Sequence, residues 1–144
     1  MNLMKIAHVP PVVVPLSASV SDAVRAMVDN GVGAVAVVEG GVLKGIFSER
    51  DVIKKVVYTG GAPAQTSVAA VMTTEVESIA ADTPAPEALQ IMIDGHFRHL
   101  PIVDGDGKVL GILSIRNFLQ NRVEELEDSI NSITSYYGAD GSGG

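Results

Sequence analysis

An α/β (α+β) fold, with one β-α-β-β-α unit used twice, is expected of this chain. The stretch over residues 20–56 returns over residues 85–123. Met27 stands against Met92 and Gly45 against Gly111, with one extra residue in the Asp104–Gly107 turn of the second copy. Within each copy, apolar residues recur at helical spacing and then run through two short stretches split by a Gly-containing turn. That is the pattern of a helix followed by a hairpin. A duplicated unit normally packs against its copy, so pseudo-two-fold symmetry with a cleft on the axis is expected.

In the first copy, residues 11–16 form a short β-type run. Ser19-Val-Ser-Asp22 resembles a capping box, and Val20, Ala23, Val24, Met27 and Val28 then recur on one helical face. Asn30-Gly31 stops that helix, because both residues tolerate a left-handed cap. Val35–Val38 and Val42–Phe47 are strands joined at Glu39-Gly40-Gly41, and Ser48 caps a second helix through Val52, Ile53, Val56 and Val57. Thr59–Pro63 reads as a loop and Ser67–Met72 as a short helical connector.

The second copy repeats the order. Val76–Ile79 is expected as the entry strand, and Pro84 as the start of a helix that buries Ala85, Ala88, Leu89, Met92 and Ile93. Leu100–Val103 and Val109–Leu113 are strands about the Asp104–Gly107 turn, and Ser114 opens the last helix. The expected units are residues 9–60 and 72–122, a helical extension over 116–137, and a disordered Gly/Ser tail over 138–144. In the extension Leu119, Val123, Leu126, Ile130, Ile133 and Tyr137 recur at alternating steps of four and three. Such a stripe packs either on its own domain or on a second copy. A homodimer contact is the preferred reading, because the first copy ends its equivalent helix near Tyr58.

The chain's 144 residues suit one compact domain or two small ones sharing a core. A hydrophobic content of 47% argues against disorder, and a formal net charge of −7 argues against a sequence-independent grip on nucleic acid. The absence of cysteine excludes disulfides, a thiol nucleophile and a cysteine-based zinc site. Prolines at 10, 11 and 15 interrupt the apolar start, so no signal peptide is read, and no apolar run reaches the ~18–20 residues of a membrane span. A cytoplasmic protein with no membrane partner is expected.

The chemistry concentrates in two matched heptapeptides, Gly45-Ile-Phe-Ser48-Glu-Arg-Asp51 and Gly111-Ile-Leu-Ser114-Ile-Arg-Asn117. Each serine falls at a helix N-terminus, where free N–H groups and the helix dipole favour an anion. One turn on, Asp51 or Asn117 faces the same side. An ionised aspartate accepts both hydroxyl protons of a ribose, each bond worth about 1.5–3 kcal/mol against about 1 kcal/mol for a neutral pair. Asp51 is therefore expected to grip a ribose better than Asn117. Taken singly, either motif is explained by capping alone; two in register favour a ligand.

These residues resemble the cystathionine β-synthase (CBS) domain pair, or Bateman module, over about residues 9–122. Phe97-Arg-His-Leu-Pro101-Ile-Val-Asp104 and the connector Val71-Met-Thr73 add to the likeness, which is strongest to small stand-alone bacterial proteins of this type. The resemblance implies a non-enzymatic regulatory module. Its cleft would take an adenosyl nucleotide, AMP, ADP or ATP, with NAD or S-adenosylmethionine as further candidates. No cofactor is required, and a separate regulated protein is the implied partner. The resemblance also places phosphate contacts at Arg98 and His99, where the first copy has the uncharged Gly33 and Ala34. The candidate ligand-binding set is Ser48, Arg50, Asp51, Arg98, His99, Pro101, Ser114, Ile115 and Asn117.

Arg116 is a further candidate cation, whereas Lys54 and Lys55 read as ordinary surface charges. The family usually has Asp at both motif ends, so one well-occupied site and one weak or empty site are expected. Adenine is expected between strand residues such as Val35–Val37 or Leu100–Ile102, with Pro101 freeing a backbone carbonyl. His96 and His99 lack a third metal ligand, Asp104-Gly-Asp-Gly107 is explained as a turn, and Gly31-Val-Gly33 precedes a strand where a dinucleotide fingerprint precedes a helix. No serine has a base beside it by sequence logic, and Glu124–Asp128 reads as the wet face of the last helix. A ligand-free structural dimerisation module is the alternative reading.

Overall fold

The computed structural model of the chain describes residues 2–141. Helix α1 (Leu3–Ile6) precedes β1 (Val13–Pro15), α2 (Val20–Asn30) and the hairpin β2 (Ala34–Glu39) and β3 (Val42–Ser48). The next helix, α3, is one α-turn, Glu49–Asp51, continued as a π-helical stretch, Val52–Val57. Then come α4 (Val68–Val71), α5 (Ala85–Gly95), β4 (His99–Val103), β5 (Val109–Ser114) and α6 (Ile115–Gly141). Helical backbone thus covers the first residues of the expected tail, and the rest of that tail, 142–144, lies outside the described residues.

Local chemistry explains the helix ends. Ser19 accepts from the Asp22 N–H at 3.1 Å while Asp22 accepts from the Ser19 N–H at 3.0 Å, a complete capping box. α2 closes on Gly31 at φ 63°, and α5 closes on His96 in the same left-handed conformation at φ 56°. Both residues of each helix end bond back to carbonyls of the last turn.

Strands β1, β2 and β3 form a three-stranded sheet with β1 parallel to β2 and β2 antiparallel to β3; β4 and β5 form a two-stranded antiparallel sheet. The expected second entry strand, Val76–Ile79, is reduced to a single bridge from Ile79 to Ile102. Proline is the reason. In the first copy the Ala36 N–H donates to the Val12 carbonyl at 3.0 Å. The corresponding donor in the second copy is Pro101, which has none, so the ladder stops at Ile79.

Each copy completes its core with a helix from outside its own hairpin unit. α1 contributes Leu3 and Ile6 to the cluster of Met92, Leu100, Ile102 and Leu113 in the second copy. α4 contributes Val68 to the cluster of Val20, Met27, Val35 and Phe47 in the first. The segment after each helix then pairs along the far side of the hairpin. His8 and Ile112 exchange backbone bonds at 2.9 and 3.2 Å, and Thr73 and Ile46 do so at 2.9 and 3.0 Å. The hairpins also join end to end, through Leu43 N–H to Gly107 O at 3.0 Å and Val109 N–H to Gly41 O at 3.2 Å. Among the described residues, no helix is long and apolar enough to cross a membrane.

Candidate functional site

The two crossing segments and the two hairpins enclose a cleft of about 710 Å³ on the pseudo-dyad. That volume lies within the ~300–1,000 Å³ usual for small-molecule sites. Both serine motifs open onto it. Ser48, Arg50 and Asp51 line one wall, and Ser114, Ile115, Arg116 and Asn117 the other; Arg98 and His99 enter from the start of β4. Eight of the nine expected site residues therefore meet in one cavity. The ninth, Pro101, is fully buried in β4 and does not line it. Its carbonyl is not free either, since it accepts the Ile79 N–H at 3.0 Å.

The adenine wall expected at Val35–Val37 and Leu100–Ile102 is corrected in the same way. These residues are fully buried in the two cores, because the central strands are covered on both faces and carry no wet side. The apolar lining comes instead from Val12, Val32, Ile46, Phe97 and Ile112.

The motifs differ in detail. Asp51 Oδ2 accepts from the Ser48 N–H at 3.0 Å and the Ser48 hydroxyl at 3.2 Å, and Asp51 Oδ1 lies 3.2 Å from Lys55 Nζ. Lys55 Nζ also donates to the Val71 carbonyl at 3.0 Å and to Thr73 Oγ1 at 3.4 Å. Lys55, expected to be an ordinary surface charge, instead ties the first motif to the segment that crosses between the copies. Asp51 is shielded, its side chain only 14% exposed. In the second motif Ser114 Oγ accepts from the Asn117 N–H at 2.9 Å, and the capping box is one-sided.

Cations dominate the cleft. Arg50, Lys54, Arg98 and Arg116 line it against two carboxylates, Glu49 and Asp51. None of the ion pairs found among the described residues involves those four cations. Lys54 is exposed, as its reading as a surface charge expects, and it also lines the cleft. Glu49 was not anticipated either. A Cβ placed on Gly33 would fall 2.6 Å from Glu49 Oε1 and 3.5 Å from His99 Nε2, so the bare glycine leaves room where the copies face each other. Burial pushes the His99 imidazole below its ordinary 6.5; the Glu49 carboxylate opposes that shift and the Arg98 guanidinium adds to it.

The CBS domain family model matches this chain twice, over residues 4–58 and 68–124. The chain belongs to the CBS domain family. Both matches begin within the short helices α1 and α4, so each CBS repeat starts with the helix that packs on the other repeat's hairpin. The CBS domain-containing protein CBSX3, mitochondrial, of Arabidopsis thaliana is 32% identical over 123 residues, covering 82% of this chain and 59% of that one. A longer relative from the same plant, 36% identical over 115 residues, is spanned to only 20% of its length. The crystal structure of a CBS-domain containing protein from Agrobacterium tumefaciens superposes with a TM-score of 0.74 at 30% identity, over 85% of this chain and 99% of that one. The CBS domain pair of protein MJ0100, solved with 5′-methylthioadenosine and S-adenosyl-L-methionine, shares the fold at a TM-score of 0.78 and 19% identity, over 87% and 98% of the two chains.

Proposed function

We propose that this CBS pair is a non-enzymatic regulatory module that takes an adenosyl nucleotide in its central cleft. AMP, ADP and ATP are the first candidates, with NAD and S-adenosylmethionine next. The observation that carries the reading is electrostatic: an acidic chain of net charge −7 collects in one cleft, between its two serine motifs, four cations that have no ion pair among the described residues. Guanidinium groups suit phosphate oxygens. Asp51 retains acceptor capacity for a ribose beyond its three present partners, since an ionised carboxylate offers about four lone-pair sites. The adenosyl ligands of protein MJ0100 support the same class of occupant. Neither cleft serine bonds to a histidine among the described residues; both act as helix caps.

One ligand would sit with its ribose on the Asp51 motif and its phosphates toward Arg98 and Arg116, leaving the Asn117 side weak or empty. Binding would bias the relative orientation of the repeats, and a homodimer would pass that bias to a regulated protein. The bias cannot exceed the ligand's differential affinity for the two arrangements. The cytoplasm is the proposed location. The test is thermal denaturation with AMP, ADP, ATP, NAD and S-adenosylmethionine at millimolar concentration. A nucleotide is expected to raise the melting temperature, and Asp51→Ala or Arg98→Ala to weaken affinity about tenfold or more, the loss of one charge-assisted bond. No shift with any of the five would sink the reading.

One observation favours a ligand-free dimerisation module as the second reading: Ser48 and Lys55 already take three of the roughly four acceptor sites of Asp51, which leaves one for the two hydroxyls of a ribose. In that case adenosyl compounds leave both melting and self-association unchanged.

A further inference from the structure

One face of the molecule has no partner among the described residues. The first turns of α6 pack on α1, α5 and β5, but from Leu126 to Thr134 every residue is exposed. A solitary helix gains little in water from its own backbone bonds, and stable helices draw most of their support from packing an apolar face. α6 has such a face. Leu119, Val123, Leu126, Ile130 and Ile133 are each more than half exposed and fall on one seam at alternating steps of four and three.

We propose that α6 pairs in parallel with α6 of a second copy as a two-stranded coiled coil. The inference deepens the homodimer part of the proposed function and does not depend on the nucleotide. On the heptad, Val123 and Ile130 occupy a, and Leu119, Leu126 and Ile133 occupy d. β-Branched residues at a with leucine at d favour parallel two-stranded pairing, and Leu119 and Leu126 fill two of the three d positions. The flanks agree. Arg122 is at g and Glu127 at the following e, the two positions that face each other across a parallel pair. Among the described residues Arg122 makes one ion pair, with Glu125, in an exposed contact at 3.4 Å that holds it weakly. An antiparallel pair sets g against g, where the other residue of this stretch is Ser129, and brings Arg122 no carboxylate. Charge and side-chain shape thus select the second copy as occupant and fix its direction.

The chain has no cysteine, so introduced thiols report without background. Leu119→Cys and Ile133→Cys, prepared separately, are each expected to cross-link to themselves under mild oxidation. Wild-type protein is expected to sediment as a dimer, and Ile130→Asp as a monomer whose melting remains cooperative. Cross-links that form only when the two cysteine variants are mixed mean an antiparallel pair and overturn the proposal. A wild-type monomer overturns it together with the homodimer reading. A dimer that survives Ile130→Asp, without self-cross-links, moves the interface elsewhere and overturns the coil alone. Nucleotide binding, read separately by thermal shift, stands or falls by itself.

Discussion

His99 sits where the first copy's α3 meets the second copy's β4, with Glu49 and Arg98 as its charged neighbours. Its depressed pKa makes a stability statement. As pH falls through about 6.5, the unfolded chain takes up a proton that folded His99 still refuses, so the unfolded state binds more protons and stability declines. The decline ends only below the lower, folded value. Denaturant midpoints between pH 7.5 and 5 are therefore expected to fall more steeply in wild type than in His99→Gln; parallel titrations would show that His99 is not the group responsible. A phosphate beside His99 would favour the charged imidazole, so nucleotide affinity is expected to rise over the same window. Residue by residue, the serine motifs and the cations within them, Arg50 and Arg116, were legible because a helix cap is a local signal, whereas Arg98 was reached through the family resemblance. Lys55 carried a signal that was readable and undervalued: it lies one turn after Asp51, the spacing of a helical ion pair. The burial of Pro101 was legible in principle, because the unbroken apolar run Leu100–Val103 lacks the polar alternation of a strand open on one face.

At the scale of elements, the glycine that opens each heptapeptide has a steric task. A Cβ at Gly45 would fall 2.9 Å from the Thr73 carbonyl oxygen and 2.6 Å from Met72 Sδ. At Gly111 it would fall 2.9 Å from Val9 Cγ2 and 3.2 Å from the His8 carbonyl oxygen. Each glycine makes room for the segment that crosses from the neighbouring repeat. Gly45→Ala is expected to cost about 1–3 kcal/mol by overpacking against backbone. Gly105→Ala, with nothing within 4 Å, is expected to stay within about 0.5 kcal/mol. Chemical denaturation of both variants checks the contrast, and equal losses would remove the steric explanation. The hairpins and long helices were legible from periodicity and turn residues. Helix α1 was not: Leu3–Ile6 is four residues long, too short for a period, and its meaning appears only against its counterpart Val68–Val71. The second entry strand failed for the converse reason, since its loss depends on a donor missing from a strand distant in sequence.

At the scale of the whole molecule, the copies are bound by exchange as well as by contact. Leu3, 1% exposed, lies in the core of the second repeat although it precedes the first. Leu3→Ala is expected to destabilise by about 2–5 kcal/mol, the cost of a large-to-small change in a packed core. Unfolding should remain a single transition by fluorescence and circular dichroism, because the altered helix belongs to both halves. A loss confined to one half, seen as two transitions, would count against that coupling. No sequence window reveals such an exchange, since the apolar residues of α1 suit either core equally.

That exchange bears on how such a protein could be assembled from smaller genes. A polypeptide with a single repeat would carry a leading helix whose seat, in this architecture, lies on a second repeat. Two such polypeptides, trading their first turns, would rebuild the same body with true two-fold symmetry, and fusing them head to tail would leave every contact in place.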